Sequence, residues 1–159
     1  KENIKFILDK NIPLELQSAK FYELWIKDMA ELCDIFCDIL NNESVSFNLG
    51  TNRGCKRYHV DNVPMRLLVT YAGKGTEWLP SQFADRHAFE AGKPNEEILK
   101  DPSGCEFINI WDIAVFRGGR KGVLHRTPDA ALNGPSIMLR LDEESFWNDV
   151  LGQSTMVYT

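Results

Sequence analysis

From Ser44 onward the chain falls into short runs of Val, Ile, Leu, Phe and Tyr separated by Gly, Pro and Asn, and this punctuation restricts it to a β-rich body. Predicted strands cover 45–49, 56–61, 65–71, 106–110, 113–116, 123–126 and 136–141. So many short strands imply a sandwich or barrel. With 159 residues there is material for one core of ordinary size, so positions 1–159 are expected to form a single domain with 44–142 as its β core.

Ahead of that body, residues 14–41 carry a helical period. Lys20, Glu23, Lys27, Glu31, Asp34 and Asp38 recur every three or four positions, while Tyr22, Trp25, Met29, Leu32, Cys33, Phe36 and Leu40 line much of the other side. The pattern predicts a long amphipathic helix, whole or broken once, that buttresses a sheet. Pro13 suits its first turn and Asn41-Asn42 its end. A polar insertion at about 79–104 separates two groups of strands, and its length points to a lid. Residues 143–151 read as a short C-terminal helix capped by Asp142, with Phe146, Trp147 and Val150 inward. The fold class expected is therefore α+β.

The charge balance, 18 Lys+Arg against 23 Asp+Glu for a net of −5, offers no footprint for a phosphate backbone or an anionic membrane, so nucleic acid is not an expected partner. No apolar run is long enough to span a bilayer, and Lys1-Glu2-Asn3-Ile4-Lys5 has no signal-peptide pattern. Four cysteines, Cys33, Cys37, Cys55 and Cys105, do not make a disulfide framework, and a reducing cytoplasm is the expected compartment. Cys33 and Cys37 fall in the apolar stripe and read as packing residues rather than metal ligands.

The chemistry concentrates at His59-Val60-Asp61 and at His125. On a strand, positions i and i+2 share a face, so His59 and Asp61 project together. A strand at 123–126 would bring His125 to the same place, giving two imidazoles and one carboxylate on one side of a metal. That set leaves positions open, as a non-haem Fe(II) site requires. Gly118-Gly119-Arg120-Lys121-Gly122 lacks a following helix and reads as a hairpin turn rather than a phosphate cradle. His87 lies in the polar insertion and reads as solvated.

This arrangement resembles the Fe(II)/2-oxoglutarate-dependent oxygenase superfamily, whose jelly-roll double-stranded β-helix carries His-x-Asp at a strand end and a distal His before a late hairpin. The wording Tyr58-His59-Val60-Asp61-Asn62, Arg66-Leu67-Leu68-Val69-Thr70-Tyr71 and Gly75-Thr76-Glu77-Trp78 further resembles a family of uncharacterised, mostly bacterial proteins. The resemblance implies that His59, Asp61 and His125 hold Fe(II). It also implies a basic side chain about ten residues beyond the distal His to pair with 2-oxoglutarate. Position 136, eleven beyond His125, is Ser136 in this chain, and Arg140 shares its strand face. Arg140, Tyr71, Ser136 and Arg66 are thus the candidate 2-oxoglutarate contacts, and Trp78 and Arg126 the candidate substrate contacts.

The implied activity is an oxygenase, or a diverged relative, acting on a small molecule or a protein side chain. Two alternatives use the same three residues. One is a non-catalytic zinc protein with Cys55 near the site. The other is a cupin-like enzyme, for which Gly122-x-x-His125 would serve as a second motif.

Overall fold

The computed structural model describes residues 2–147 and 150. Contacts divide the chain into two compact units, Lys1–Val45 and Ser46–Thr159.

The first unit is helical, with α1 (Glu2–Asn11), α2 (Leu14–Gln17) and α3 (Tyr22–Leu40). The helix predicted over 14–41 is not continuous. Ser18 ends α2, its hydroxyl donating back to the Glu15 carbonyl at 2.9 Å, a local bond that competes with helix propagation. The Gln17 side-chain amide donates to the carbonyls of Asp9 and Ile12 at 2.9 and 2.7 Å, and the Tyr22 hydroxyl donates to Asp9 at 2.6 Å. Tyr22, Trp25, Ile26, Met29, Ala30, Leu32, Cys33 and Phe36 are the buried residues of α3, the stripe that a 3.6-residue period predicts. Asn41 closes α3 in the left-handed conformation at φ 49°. Burial, reinforced by Cys37, pushes the Cys33 thiol up to about 12, the behaviour of an inert packing residue.

The second unit holds two sheets. One has four strands in the order β1 (Val45–Gly50), β7 (Ile137–Glu143), β2 (Met65–Ala72) and β5 (Ile113–Arg117), with β2 antiparallel to both of its neighbours. The other has three, β4 (Glu106–Phe107), β3 (Glu77–Leu79) and β6 (Leu124–Arg126), with β3 antiparallel to both of its neighbours. The fold is α+β with antiparallel pairing.

Register sorts the side chains of the larger sheet. Arg66 lies opposite both Asp142 and Phe116, Leu68 opposite Arg140, and Thr70 opposite Met138. Cross-strand partners share a face, so these residues form one surface. Leu67, Val69, Leu139 and Leu141, all essentially buried, form the other.

Two strand expectations change. The predicted strand 56–61 joins no ladder beyond a single bridge, His59 to His125, because Asn95 pairs with its backbone instead. The Tyr58 N–H donates to Asn95 Oδ1 and Asn95 Nδ2 donates to the Lys56 carbonyl, each at 2.9 Å. Residues 106–110 pair only at Glu106 and Phe107, opposite β3, a strand the sequence reading lacked.

The insertion at 79–104 folds into α4 (Arg86–Glu90), α5 (Asn95–Ile98) and short turns. It packs a core of Tyr58, Leu79, Ala84, Ile98 and Leu124, against which Val60, Phe83, Ala88, Phe89 and Leu99 rest. Leu79 and Leu124 are cross-strand partners one position from Trp78 and His125, so this core covers the face of the smaller sheet opposite the imidazole of His125. It is a packed layer at the back of the site. His87 is exposed, as expected.

Asp142 is not a helix cap. It lies within β7, 1 % exposed, with its carboxylate held by Arg66. Glu144 to Trp147 and Val150 are helical, and the rest of the predicted 143–151 helix lies outside the described residues. Among the described residues no helix is long and apolar enough to cross a membrane.

Candidate metal centre

The single bridge between the two distant histidines builds the site. His59 N–H donates to the His125 carbonyl and His125 N–H donates to the His59 carbonyl, both at 3.0 Å. Residues that exchange both backbone bonds present their side chains on the same side, which brings the two rings to 4.4 Å between centroids. Tyr58 and Val60 turn the other way, into the core at the back. Asp61 follows on the imidazole side. Each of the three offers one ligand atom, and these atoms lie within 4.8 Å of one another.

What each ring touches selects its neutral tautomer. Nδ1 of His59 faces the Arg57 carbonyl and Nδ1 of His125 the Val123 carbonyl, each at 3.0 Å. A carbonyl only accepts, so both Nδ1 atoms carry the proton and both Nε2 atoms present a lone pair. Phe116 stacks on His125 at 4.5 Å and 12°, holding the ring plane. His125 Nε2 lies 3.5 Å from Asp61 Oδ2, near the roughly 3–3.5 Å that separates adjacent ligands of one ion with bonds of about 2.1 Å. Asp61 Oδ2 is buried without a hydrogen-bond partner among the described residues. A carboxylate oxygen in that state is costly unless a cation completes it, so the donor set fits a divalent metal.

Behind the ligands stands an ion-pair relay. Arg66 donates to Asp61 Oδ1 through one terminal nitrogen, and to Asp142 through Nε at 2.6 Å and the other terminal nitrogen at 2.9 Å. Trp147 Nε1 also donates to Asp142, at 3.2 Å. One guanidinium fork thereby spans two buried carboxylates and turns the second oxygen of Asp61 toward the imidazoles.

The glycine hairpin is a brace for the Asp61 backbone. Gly119 N–H donates to the Asp61 carbonyl at 2.7 Å and Gly118 N–H to the Pro64 carbonyl at 3.0 Å. A Cβ on Gly118 would meet the Val63 carbonyl oxygen at 1.8 Å and that of Asp61 at 2.6 Å. Gly118→Ala is therefore expected to destabilise by about 1–3 kcal/mol, as other forced overpacking does. It should also weaken metal binding through Asp61, which denaturant midpoints and a metal titration would read.

Burial holds His125 below the ordinary imidazole value; Asp61 opposes this and His59 adds to it. The unfolded ring titrates near 6.5, so between the two values the unfolded chain binds the extra proton. The associated stability is complete above the unfolded value and lost as pH falls through the folded one. Urea midpoints of metal-free protein are expected to drop below about pH 6.5, with a shallower drop in His125→Gln.

Two cavities adjoin the centre, sharing Cys55, His59 and Arg66. The first, about 260 Å³, is lined by Arg53, Arg66, Arg126 and Arg140 and by no Asp or Glu among the described residues. The second, about 380 Å³, is walled by Val60, Val63, Phe146 and Trp147.

Arg140 and Arg66 line the first cavity; Ser136 is buried and bonded to Arg53. Tyr71 packs edge-on to Trp111, with ring centroids 4.8 Å apart, and lines neither cavity. Trp78 pairs with His125 in register but also lines neither. Arg126 lines the first, although its guanidinium pairs with Glu77 at 2.9 Å and lies over the Tyr58 ring. Arg53 and Asp142 were missed by the sequence reading. Asp142 looked like a cap because it precedes a helical run, and Arg53 sits in a polar stretch with no local signal.

Fold and site together define an α+β protein with antiparallel sheets and a His/Asp/His cluster able to bind a metal. The chain belongs to the DUF1826 family, described as a protein family of unknown function, whose model matches residues 6–142. No curated protein and no solved structure matches it.

Proposed function

We propose that this protein is a non-haem Fe(II)- and 2-oxoglutarate-dependent oxygenase, or a diverged relative, on a double-stranded β-helix. The observation that carries the reading is the bare Oδ2 of Asp61 beside two Nε2 lone pairs. Three protein ligands, with no fourth in the cluster among the described residues, favour an open, reactive centre over a closed structural one. That speaks against the alternative of a non-catalytic zinc protein with a closed site, since Cys55 is exposed and stands outside the ligand set. Two antiparallel sheets meeting at the site, through Phe116 of one and His125 of the other, support the fold reading.

Iron bound here would supply dioxygen activation coupled to oxidation of the keto acid. The chain's own residues do the rest. Nδ1–H bonds to carbonyls hold both imidazoles in one tautomer. Arg66, itself anchored on Asp142, holds the Asp61 carboxylate in orientation. The arginine-lined cavity takes an anionic co-substrate, and the more apolar cavity beside Phe146 and Trp147 takes a small molecule or protein side chain.

Anaerobic addition of Fe(II) and 2-oxoglutarate should produce a weak visible charge-transfer band, and aeration should release succinate. Purification with stoichiometric zinc and indifference to the keto acid would defeat the proposal.

A further inference from the structure

Four arginines line the first cavity, and three are already neutralised. Arg66 pairs with Asp61 and Asp142, Arg126 with Glu77 at 2.9 Å and Asp129 at 3.6 Å, and Arg140 with Asp142 at 3.3 Å. Arg53 differs. It follows β1, and its donors reach only neutral oxygens: the Lys74 carbonyl at 3.0 Å, Ser136 Oγ at 3.2 Å and Thr76 Oγ1 at 3.3 Å. Its Nε has no hydrogen-bond partner among the described residues; Arg140 Nε has none either, but stands 3.3 Å from the Asp142 carboxylate.

A half-buried guanidinium without a carboxylate is an unusual thing for a protein to keep. Desolvation disfavours its charged form, lowering its pKa from the ordinary value with nothing to offset the effect. The two hydroxyls beside it, Thr76 and Ser136, both buried, can each rotate to donate or accept. Planar donors flanked by hydroxyls match the two oxygens of a carboxylate.

We infer that Arg53, anchored by Ser136 and beside Thr76 in the cavity lining, forms the carboxylate seat of the metal-side cavity, and that it, not Arg140, holds the end of a small organic acid remote from the metal. The inference rests on the metal-centre reading for where the ligand's other end goes. A ligand charge at Arg53 completes an ion pair the protein leaves open, whereas a ligand at Arg140 must compete with Asp142. The cavity, about 260 Å³, is sized for a compact acid of a few carbons.

The experiment is calorimetric titration of Mn(II)-loaded and metal-free protein with 2-oxoglutarate, succinate and inorganic phosphate, alongside a separate Mn(II) titration. Arg53→Gln is expected to weaken dicarboxylate binding by about 10- to 100-fold, the range of a lost charge-assisted pair, with Mn(II) affinity unchanged. Arg53→Lys should recover part of it, and this variant keeps the test valid should Arg53→Gln fold poorly. Arg140→Gln should change binding less than Arg53→Gln does. Equal losses in Arg53→Gln and Arg140→Gln, no loss in Arg53→Gln, binding of phosphate but neither dicarboxylate, or no acid binding at all would each overturn the seat. Failure to bind Mn(II) would instead overturn the metal centre, while the metal-free titration still reads whether Arg53 matters.

Discussion

His125→Ala is expected to lower affinity for Fe(II) or Zn(II) by at least about 100-fold, since loss of a ligand should exceed the 10- to 100-fold typical of losing a partner one step further out. The ring supplies a lone pair whose availability is fixed by the Nδ1 bond to Val123 and whose plane is fixed by Phe116. His59→Ala should cost as much, because the pair is built by one reciprocal backbone bridge that survives either side-chain loss. Substitution at Cys55 should leave affinity nearly unchanged, since its thiol is outside the ligand set. Equilibrium dialysis with metal quantification distinguishes these outcomes; equal retention of metal in all three variants would contradict the site.

The second large effect belongs to stability. Arg66→Met leaves Asp61 and Asp142, both nearly fully buried, without the cation that joins them. Removing one partner of a buried ion pair costs about 3–5 kcal/mol, or roughly 2 M in a urea midpoint for a domain of this size. Removing Asp142 as well, in Arg66→Met/Asp142→Leu, should cost less than the sum of the single changes, because one of the two orphaned charges is gone. Additive losses would mean that the relay is not one unit.

Much of the candidate site was legible in the sequence. His59-x-Asp61 and His125 carry ligand chemistry at spacings that survive even though 56–61 is not a ladder strand, because alternation of side chains persists wherever backbone stays extended. The strands β1, β2, β5 and β7 announce themselves through apolar alternation. β3 does not, since its three residues include Glu77, buried only because the Tyr58 hydroxyl and Arg126 both donate to it. That compensation is tertiary and leaves no local trace. The same holds for Asn95 standing in as a strand partner, and for Arg53, whose significance lies in the carboxylates it lacks. The insertion read as a lid because it is long and mostly polar, with few apolar residues. Those few, Phe83, Ala84, Phe89 and Ile98, suffice to pin it behind the sheet.

The bridge between His59 and His125 is a lone rung rather than part of a ladder. The stretch around it is tied instead by scattered contacts: Asn95 on the backbone of Lys56 and Tyr58, Thr127 N–H on the Cys55 carbonyl, and the Tyr58 ring buried in the core behind the site. Opening this strip to exchange a metal with solvent would have to withdraw Tyr58 from that core, so the event is a sub-global one rather than simple fraying. Metal turnover and the lifetime of that core then run on one clock.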